Sequence, residues 1–209
     1  MSLLRLRAGE FARHVVDLPG QHGLDAEVAA GARLDCIILV RGMARHDIHV
    51  RLMGEGAECH LFAAGKLGDG EGCDLVPVFE HVAPNTRSTQ TVRLVAEGDA
   101  KVSCRGRVII RAGAVKADGA QSAKGLLLSR EAEINLSPEL EIYADDVACR
   151  HGATVGDLDA DSMFYLRSRG IPEEVVRQML IHAFLGEAFA GVPDAVLRES
   201  LLEGIGYGL

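Results

Sequence analysis

Large rings are scarce in this chain. Of 209 residues only 6 are Phe and 3 are Tyr, and there is no Trp, so a core must be filled by aliphatic side chains in thin layers. Long apolar runs are missing too: the longest purely aliphatic stretch is Ile37–Val40, far from the ~20 residues that span a bilayer. Met1–Arg7 has neither the apolar stretch nor the cleavage site of a signal peptide. A cytoplasmic protein without membrane contact is therefore expected. The five cysteines, Cys36, Cys59, Cys73, Cys104 and Cys149, form no C-x-x-C pair. That spacing excludes a zinc ribbon, and the odd number argues against a disulfide scaffold. Positive charge is in deficit, with 22 Lys+Arg against 30 Asp+Glu and a net charge of −8, so no nucleic-acid surface is expected. No serine stands in a G-x-S-x-G setting and no H-E-x-x-H occurs, which leaves hydrolase chemistry without a local signature.

What is present is aliphatic and glycine-rich: 48% of residues are hydrophobic and 24 are Gly, too apolar a mixture for a disordered chain. Residues 1–25 read as a lead-in segment ending in the turn-like Pro19-Gly20-Gln21-His22-Gly23. Residues 26–156 carry short runs bounded by Gly, Asp or Asn: Leu34–Val40, Ile48–Met53, Cys59–Ala63, Leu75–Phe79, Thr91–Ala96, Val108–Arg111, Leu126–Leu128, Ile134–Leu136 and Leu140–Tyr143. This is strand punctuation. Small-residue turns recur ahead of the runs, at Gly31-Ala32, Gly56-Ala57, Gly98-Asp99-Ala100, Gly113-Ala114 and Glu131-Ala132, with a gap after Gly56 that suits two rungs. Such a loose repeat fits the stacked layers of a parallel β-helix, with a β-sandwich as the alternative.

From 157 to 209 the pattern is helical. Asp157 and Asp159 cap a helix running to about Arg169, Gly170 stops it, and Pro172-Glu173-Glu174 opens a second. That second helix is expected to bury Val175, Val176, Met179, Leu180, Ala183 and Phe184; a third runs from Pro193 to about Leu202.

Most site-like motifs dissolve on inspection. Gly65–Gly72 lacks the G-K-[ST] ending of a phosphate loop and reads as a flexible connection. Asp157-x-Asp159-x-Asp161 opens like a calcium loop, but its sixth position is Ser162 and its twelfth Ser168, so helix capping explains it. His46 and His49 stand in an alternating strand and face opposite sides. Cys149-Arg150-His151 is different, because residues i and i+2 of a strand share a face and place thiolate and imidazole toward one soft metal. By spacing alone, a core cysteine and a satisfied histidine remain the competing account.

The string Pro138-Glu139-Leu140-Glu141-Ile142-Tyr143-Ala144-Asp145-Asp146-Val147, followed by Cys149-Arg150-His151-Gly152-Ala153-Thr154-Val155-Gly156 and Phe164-Tyr165-Leu166-Arg167-Ser168-Arg169-Gly170-Ile171, strongly resembles the SufB/SufD family of iron–sulfur cluster assembly. The blocks His81–Ser88 and Asp118–Ser129 match in the expected order, so the likeness covers about Ala26–Phe189. It implies a right-handed parallel β-helix with a short C-terminal α-helical segment. It also implies a non-enzymatic scaffold that pairs with a second SufB/SufD-type subunit and docks the ATPase SufC through the helices. The implied docking candidates are Phe164, Tyr165, Arg167 and Arg169. ATP hydrolysis is expected in the partner, since no nucleotide site is recognisable here.

Within the family the SufD side fits better. SufB-type chains carry a sulfur-accepting cysteine where this chain has Ser122 and Ala123, and they flank the shared histidine with glutamates where Arg150 and Gly152 stand here. His151 and Cys149 carry over as the implied ligands of a transient iron–sulfur cluster or iron, with none tightly bound in the isolated chain. Relative to typical members the chain lacks the long N-terminal helical region, which suggests a minimal form, either a homodimer or one half of a heterodimer. Two other readings are a purely structural dimerisation partner without metal ligands and a β-solenoid carbohydrate-active or acyl-transferring enzyme. The last would need clustered carboxylates or a hexapeptide repeat, and neither is convincing here.

Overall fold

A computed structural model describes residues 3–205. Fourteen strands wind into a parallel β-solenoid with two sheets. One sheet stacks β2 (Phe11–Val16), β4 (Arg33–Leu39), β6 (Glu58–Leu67), β8 (Arg87–Ala96), β11 (Asp118–Leu127) and β14 (Ala148–Gly156). The other stacks β1 (Leu3–Leu6), β3 (Gly20–Val28), β5 (Met43–Leu52) and β7 (Gly72–His81), then continues in split strands. There β9 (Lys101–Cys104) and β10 (Arg107–Ile110) both lie on β7, with β12 (Glu133–Leu136) on β9 and β13 (Glu139–Ile142) on β10. Residues 3–25, expected as a lead-in segment, carry β1, β2 and much of β3. Their inward column Ala12, His14, Val16 alternates with exposed Phe11 and Val15, a pattern too weakly apolar to stand out in the sequence.

One corner of the solenoid is a column of left-handed residues. Gly9, Gly31, Gly56, Asn85, Lys116 and Asp146 have φ between 54° and 70°. Within it, the N–H of Gly31 donates to Glu55 O at 2.9 Å, that of Asn85 to Val115 O at 2.9 Å and that of Lys116 to Asp146 O at 2.7 Å. Glycine enters this conformation without a Cβ penalty, and Asn and Asp tolerate it. The recurring turns seen in the sequence mix both corners: Gly31, Gly56 and Gly113 belong to this one, Gly98 and Glu131 to the other. The buried alanines that follow, Ala32, Ala57, Ala100 and Ala114, are fully enclosed, so nothing larger fits there.

In-register stacking sorts side chains into columns. Inside, Ala26, Val50, Phe79, Val108 and Leu140 form one, and Ala12, Leu34 and Cys59 begin another. Outside, charges alternate along the stack: Arg33, Glu58, Arg87, Asp118 and Arg150 make successive ion pairs at 3.9, 3.7, 3.7 and 3.2 Å. Each exposed pair contributes about 0–1 kcal/mol, and like charges in this register would repel.

The Gly65–Gly72 stretch corrects the expectation of a flexible loop. Gly65 to Leu67 end β6 and Gly72 opens β7, leaving a short turn. A Cβ on Gly65 would lie 2.4 Å from Val40 O, so glycine there answers to close backbone approach.

Helices α1 (Ala160–Ser168), α2 (Glu173–Gly186) and α3 (Ala195–Gly204) follow, with a 3-10 turn at Glu187–Phe189. Asp159 caps α1 by accepting from Ser162 N at 2.7 Å, and Gly170 at φ 85° stops it. The buried stripe of α2 is Val176, Ile181 and Leu185, rotated from the expected one: Val175 and Met179 are exposed. Ile181 and Leu185, with Ala188, Phe189, Val192 and Leu201, cover Ile37, Leu39, Phe62, Ala64 and Val95 on the outer sheet face. Burial on both faces is why Leu34–Val40 reads as a continuous apolar run. Arg93, 6% exposed, anchors this layer by donating to Glu187 Oε2 at 3.0 Å, Val92 O at 2.9 Å and Ser122 O at 3.0 Å. Arg93→Ala is expected to cost about 2 kcal/mol in a urea melt through lost packing and orphaned acceptors. Glu187→Gln, whose side chain is half-exposed, should cost under about 1 kcal/mol.

Burial holds the fully enclosed imidazoles of His46 and His81 down to about 4, with stacked His22 adding to the effect on His46. Both are neutral in the fold and ordinary when unfolded, so the unfolded chain takes up protons first as the pH falls. Stability is therefore full near pH 7 and lost toward pH 4, by about 2 kcal/mol per histidine between pH 7 and 5. His46→Leu should flatten that slope by one histidine's share; an unchanged pH dependence of the urea midpoint would refute it.

Candidate functional site

Toward β14 the interior of the solenoid turns polar. In one inward column Cys59 is followed by Ser88, Gly119 and Cys149; in the next, Leu61 is followed by Gln90, Gln121 and His151. The structure therefore brings Cys149 and His151 to the same face of β14, the last strand of its sheet. Cys149 is partly buried against the core, while His151, with no turn stacked over it, is exposed. The other four cysteines are buried.

Behind Cys149 lies His81, fully buried and held at both ring nitrogens: Nδ1 is 2.8 Å from Thr86 Oγ1 and Nε2 is 2.8 Å from Ser88 Oγ. Thr86 donates its hydroxyl proton to Ala83 O at 3.0 Å, so it accepts from His81 Nδ1–H. Ser88 then donates to Nε2. A Cβ on Gly119 would stand 3.7 Å from Cys149 Sγ and 3.8 Å from His81 Nε2, and also 3.1 Å from Val108 Cγ1. Glycine thus keeps a small gap between thiol and imidazole. Partial burial lifts the Cys149 thiol above its ordinary value and Asp118 adds to this, while the Gly119 backbone N–H and Arg150 oppose it.

A groove of about 310 Å³ opens beside this end, lined among others by Gln90, Gln121, Ser122, Arg150 and His151. Among the described residues, no group of three or more His, Cys, Asp or Glu side chains is placed to hold a metal ion. Cys149 and His151 share the inward face of β14 as a thiol and an imidazole.

Phe164, Tyr165, Arg167 and Arg169 sit together on α1 and at its end. No α1 residue is buried; Phe164 is 75% and Tyr165 56% exposed. The Arg169 guanidinium lies 5.2 Å from the Tyr165 ring centroid and donates to its hydroxyl at 3.1 Å, and Arg167 pairs with Glu173 at 3.2 Å.

Sequence reasoning assigned no role to His81, Ser88, Gln90 or Gln121. The available signal was the approximate turn period, because Gln121 follows Gln90 by 31 residues and His151 occupies the next register position in turn.

A parallel β-solenoid with a thiol–imidazole pair on its terminal strand and an exposed aromatic helix beyond it defines a narrow class of protein. Residues 14–184 match the family described as SUF system FeS cluster assembly, SufBD core domain, and the chain belongs to that family. It is 34% identical over 172 residues to the iron-sulfur cluster assembly protein SufD of Escherichia coli (strain K12), covering 82% of this chain and 41% of that protein. It is 32% identical over 169 residues to a SufBD family protein of Synechocystis, covering 81% and 37%. Against a SufBD family protein of Mycobacterium tuberculosis (strain ATCC 25618 / H37Rv) it is 29% identical over 210 residues, covering 96% and 52%. The chain thus spans between about a third and a half of the length of these relatives. No helix among the described residues is long and apolar enough to cross a membrane.

Because Cys149 alone escapes full burial, a thiol reagent should label one cysteine in the native protein and five in denaturant. Cys149→Ser should abolish the native labelling. The raised thiol pKa makes that reaction slower at pH 7 than for a free thiol.

Proposed function

We propose that the chain is a scaffold subunit of SUF-type iron–sulfur cluster assembly, pairing with a second SufB/SufD-type subunit and binding a SufC-type ATPase. One observation carries the reading: among the described residues β14, a nine-residue parallel strand, pairs with β11 on one edge only and bears Cys149 and His151 on its inward face. An unpaired edge of that length invites a partner strand. A partner seated there covers the open end of the solenoid and supplies the donors that two side chains lack. The cluster is cargo: a sparse thiolate and imidazole set holds iron and sulfide while leaving them exchangeable.

The exposed aromatic face of α1 supports the second contact. Phe164 and Tyr165 have the size of interface anchors, Tyr165 with a hydroxyl besides, and Arg169 is already stacked on Tyr165. Hydrolysis of ATP belongs to the partner in this scheme, and the chain contributes no catalytic residue.

Anaerobic reconstitution with iron and sulfide, in the presence of the second subunit, tests the ligand assignment. Cys149→Ala and His151→Ala should each lower bound iron severalfold and change the absorption spectrum; equal loading in both would sink it. Phe164→Ala combined with Tyr165→Ala should weaken ATPase binding at least tenfold in a titration, with thermal stability unchanged since both side chains face solvent.

A further inference from the structure

The polar column ending at His151 has a direction. Gln90 donates from Nε2 to the backbone oxygen of Arg107 at 3.2 Å. A carbonyl can only accept, so the Gln90 amide is fixed with its oxygen toward Gln121. Gln121 in turn donates from Nε2 to Gln90 Oε1 at 3.0 Å. Both amides are almost wholly buried, and Gly106 makes room for them: a Cβ there would fall 2.6 Å from Gln90 Oε1 and 3.0 Å from Gln121 Nε2. The outcome is a single leftover acceptor, Gln121 Oε1, which is buried and has no partner. A buried oxygen left without a partner is a cost to the fold. Its neighbour in register is His151, exposed and able to turn its ring onto the groove they share.

We propose that Gln121 positions His151: its amide oxygen accepts one ring N–H, which leaves the other ring nitrogen as a lone-pair donor facing the open end. Ligating histidines characteristically give their second N–H to an oxygen of this kind, which fixes both tautomer and ring orientation. Gln121 is then a positioning residue, and Gln90 sets its sense by preventing the amide from flipping. The consequence for iron rests on the scaffold reading above; the hydrogen bond itself does not.

The test uses the full chain, metal-free, with ring ¹⁵N-labelled histidine at pH 8.5, where an ordinary imidazole is neutral. The His151 signals are identified by their loss in His151→Asn. In the unsubstituted chain one His151 nitrogen should be protonated and the other bare, a tautomer ratio of at least tenfold. Gln121→Met keeps the length of the side chain but removes the acceptor, and should bring the ratio within about threefold of unity. Gln90→Met frees the Gln121 amide to flip and should give an intermediate ratio, which serves if Gln121→Met fails to fold. A His151 ratio unaltered in whichever of the two variants folds overturns the proposal, as does a mixed ratio in the unsubstituted chain. A fixed tautomer that depends on Gln121, together with iron loading indifferent to His151→Ala, would uphold the positioning and reject His151 as an iron ligand. The reverse pattern would reject only the positioning.

Discussion

Parallel, in-register hydrogen bonding between successive turns is the constraint on which the rest of the molecule depends. A β-solenoid has no closed core. Each layer is completed by the one above it, so every side chain is judged by what stands at the same register position one turn away. Interior columns must agree in size, exterior columns must alternate in charge, and corners must repeat one unusual backbone conformation. The Arg33 to Arg150 ladder and the left-handed corner column meet the last two demands. The small enclosed alanines at the corners meet the first.

The same rule makes the end of a solenoid unlike its middle. Interior positions under β14 have no layer to seal them, and there the columns change from aliphatic to Ser88, Gln90, Gln121, Cys149 and His151. Polar groups in such a place need partners. His81 shows how fully they are found, with both ring nitrogens satisfied and the ring kept neutral by burial. Gln121 shows the exception, its amide oxygen buried without a partner one strand away from His151.

Strands with aliphatic interiors were legible in the sequence; those with polar ones were not. Ile48–Met53 and Leu75–Phe79 announce themselves by alternation, and β5 and β7 contain nearly all of them. In β11 only Leu126 and Leu127 were read as strand, because Gly119, Gln121 and Ala123 present no apolar beat although they face inward. The stripe of α2 was read one position out of phase, since which face is buried depends on a sheet surface that local periodicity does not contain. Cys149 and His151 were legible from strand parity. The groups behind them required knowing the length of a turn, which varies along the chain and is visible only once the corners are placed.

Stacked layers that contact only their neighbours do not share stability evenly. The middle turns are sealed on both sides, by adjoining layers inside and, over β4, β6 and β8, by α2 and its neighbours outside, whereas β14 is exposed along almost its whole length and held by one neighbouring strand. At this end of the solenoid local opening is therefore cheapest at β14 and grows costlier inward, turn by turn. Fraying of β14 leaves the remaining layers intact, so it costs the free energy of one rung and spares that of the fold.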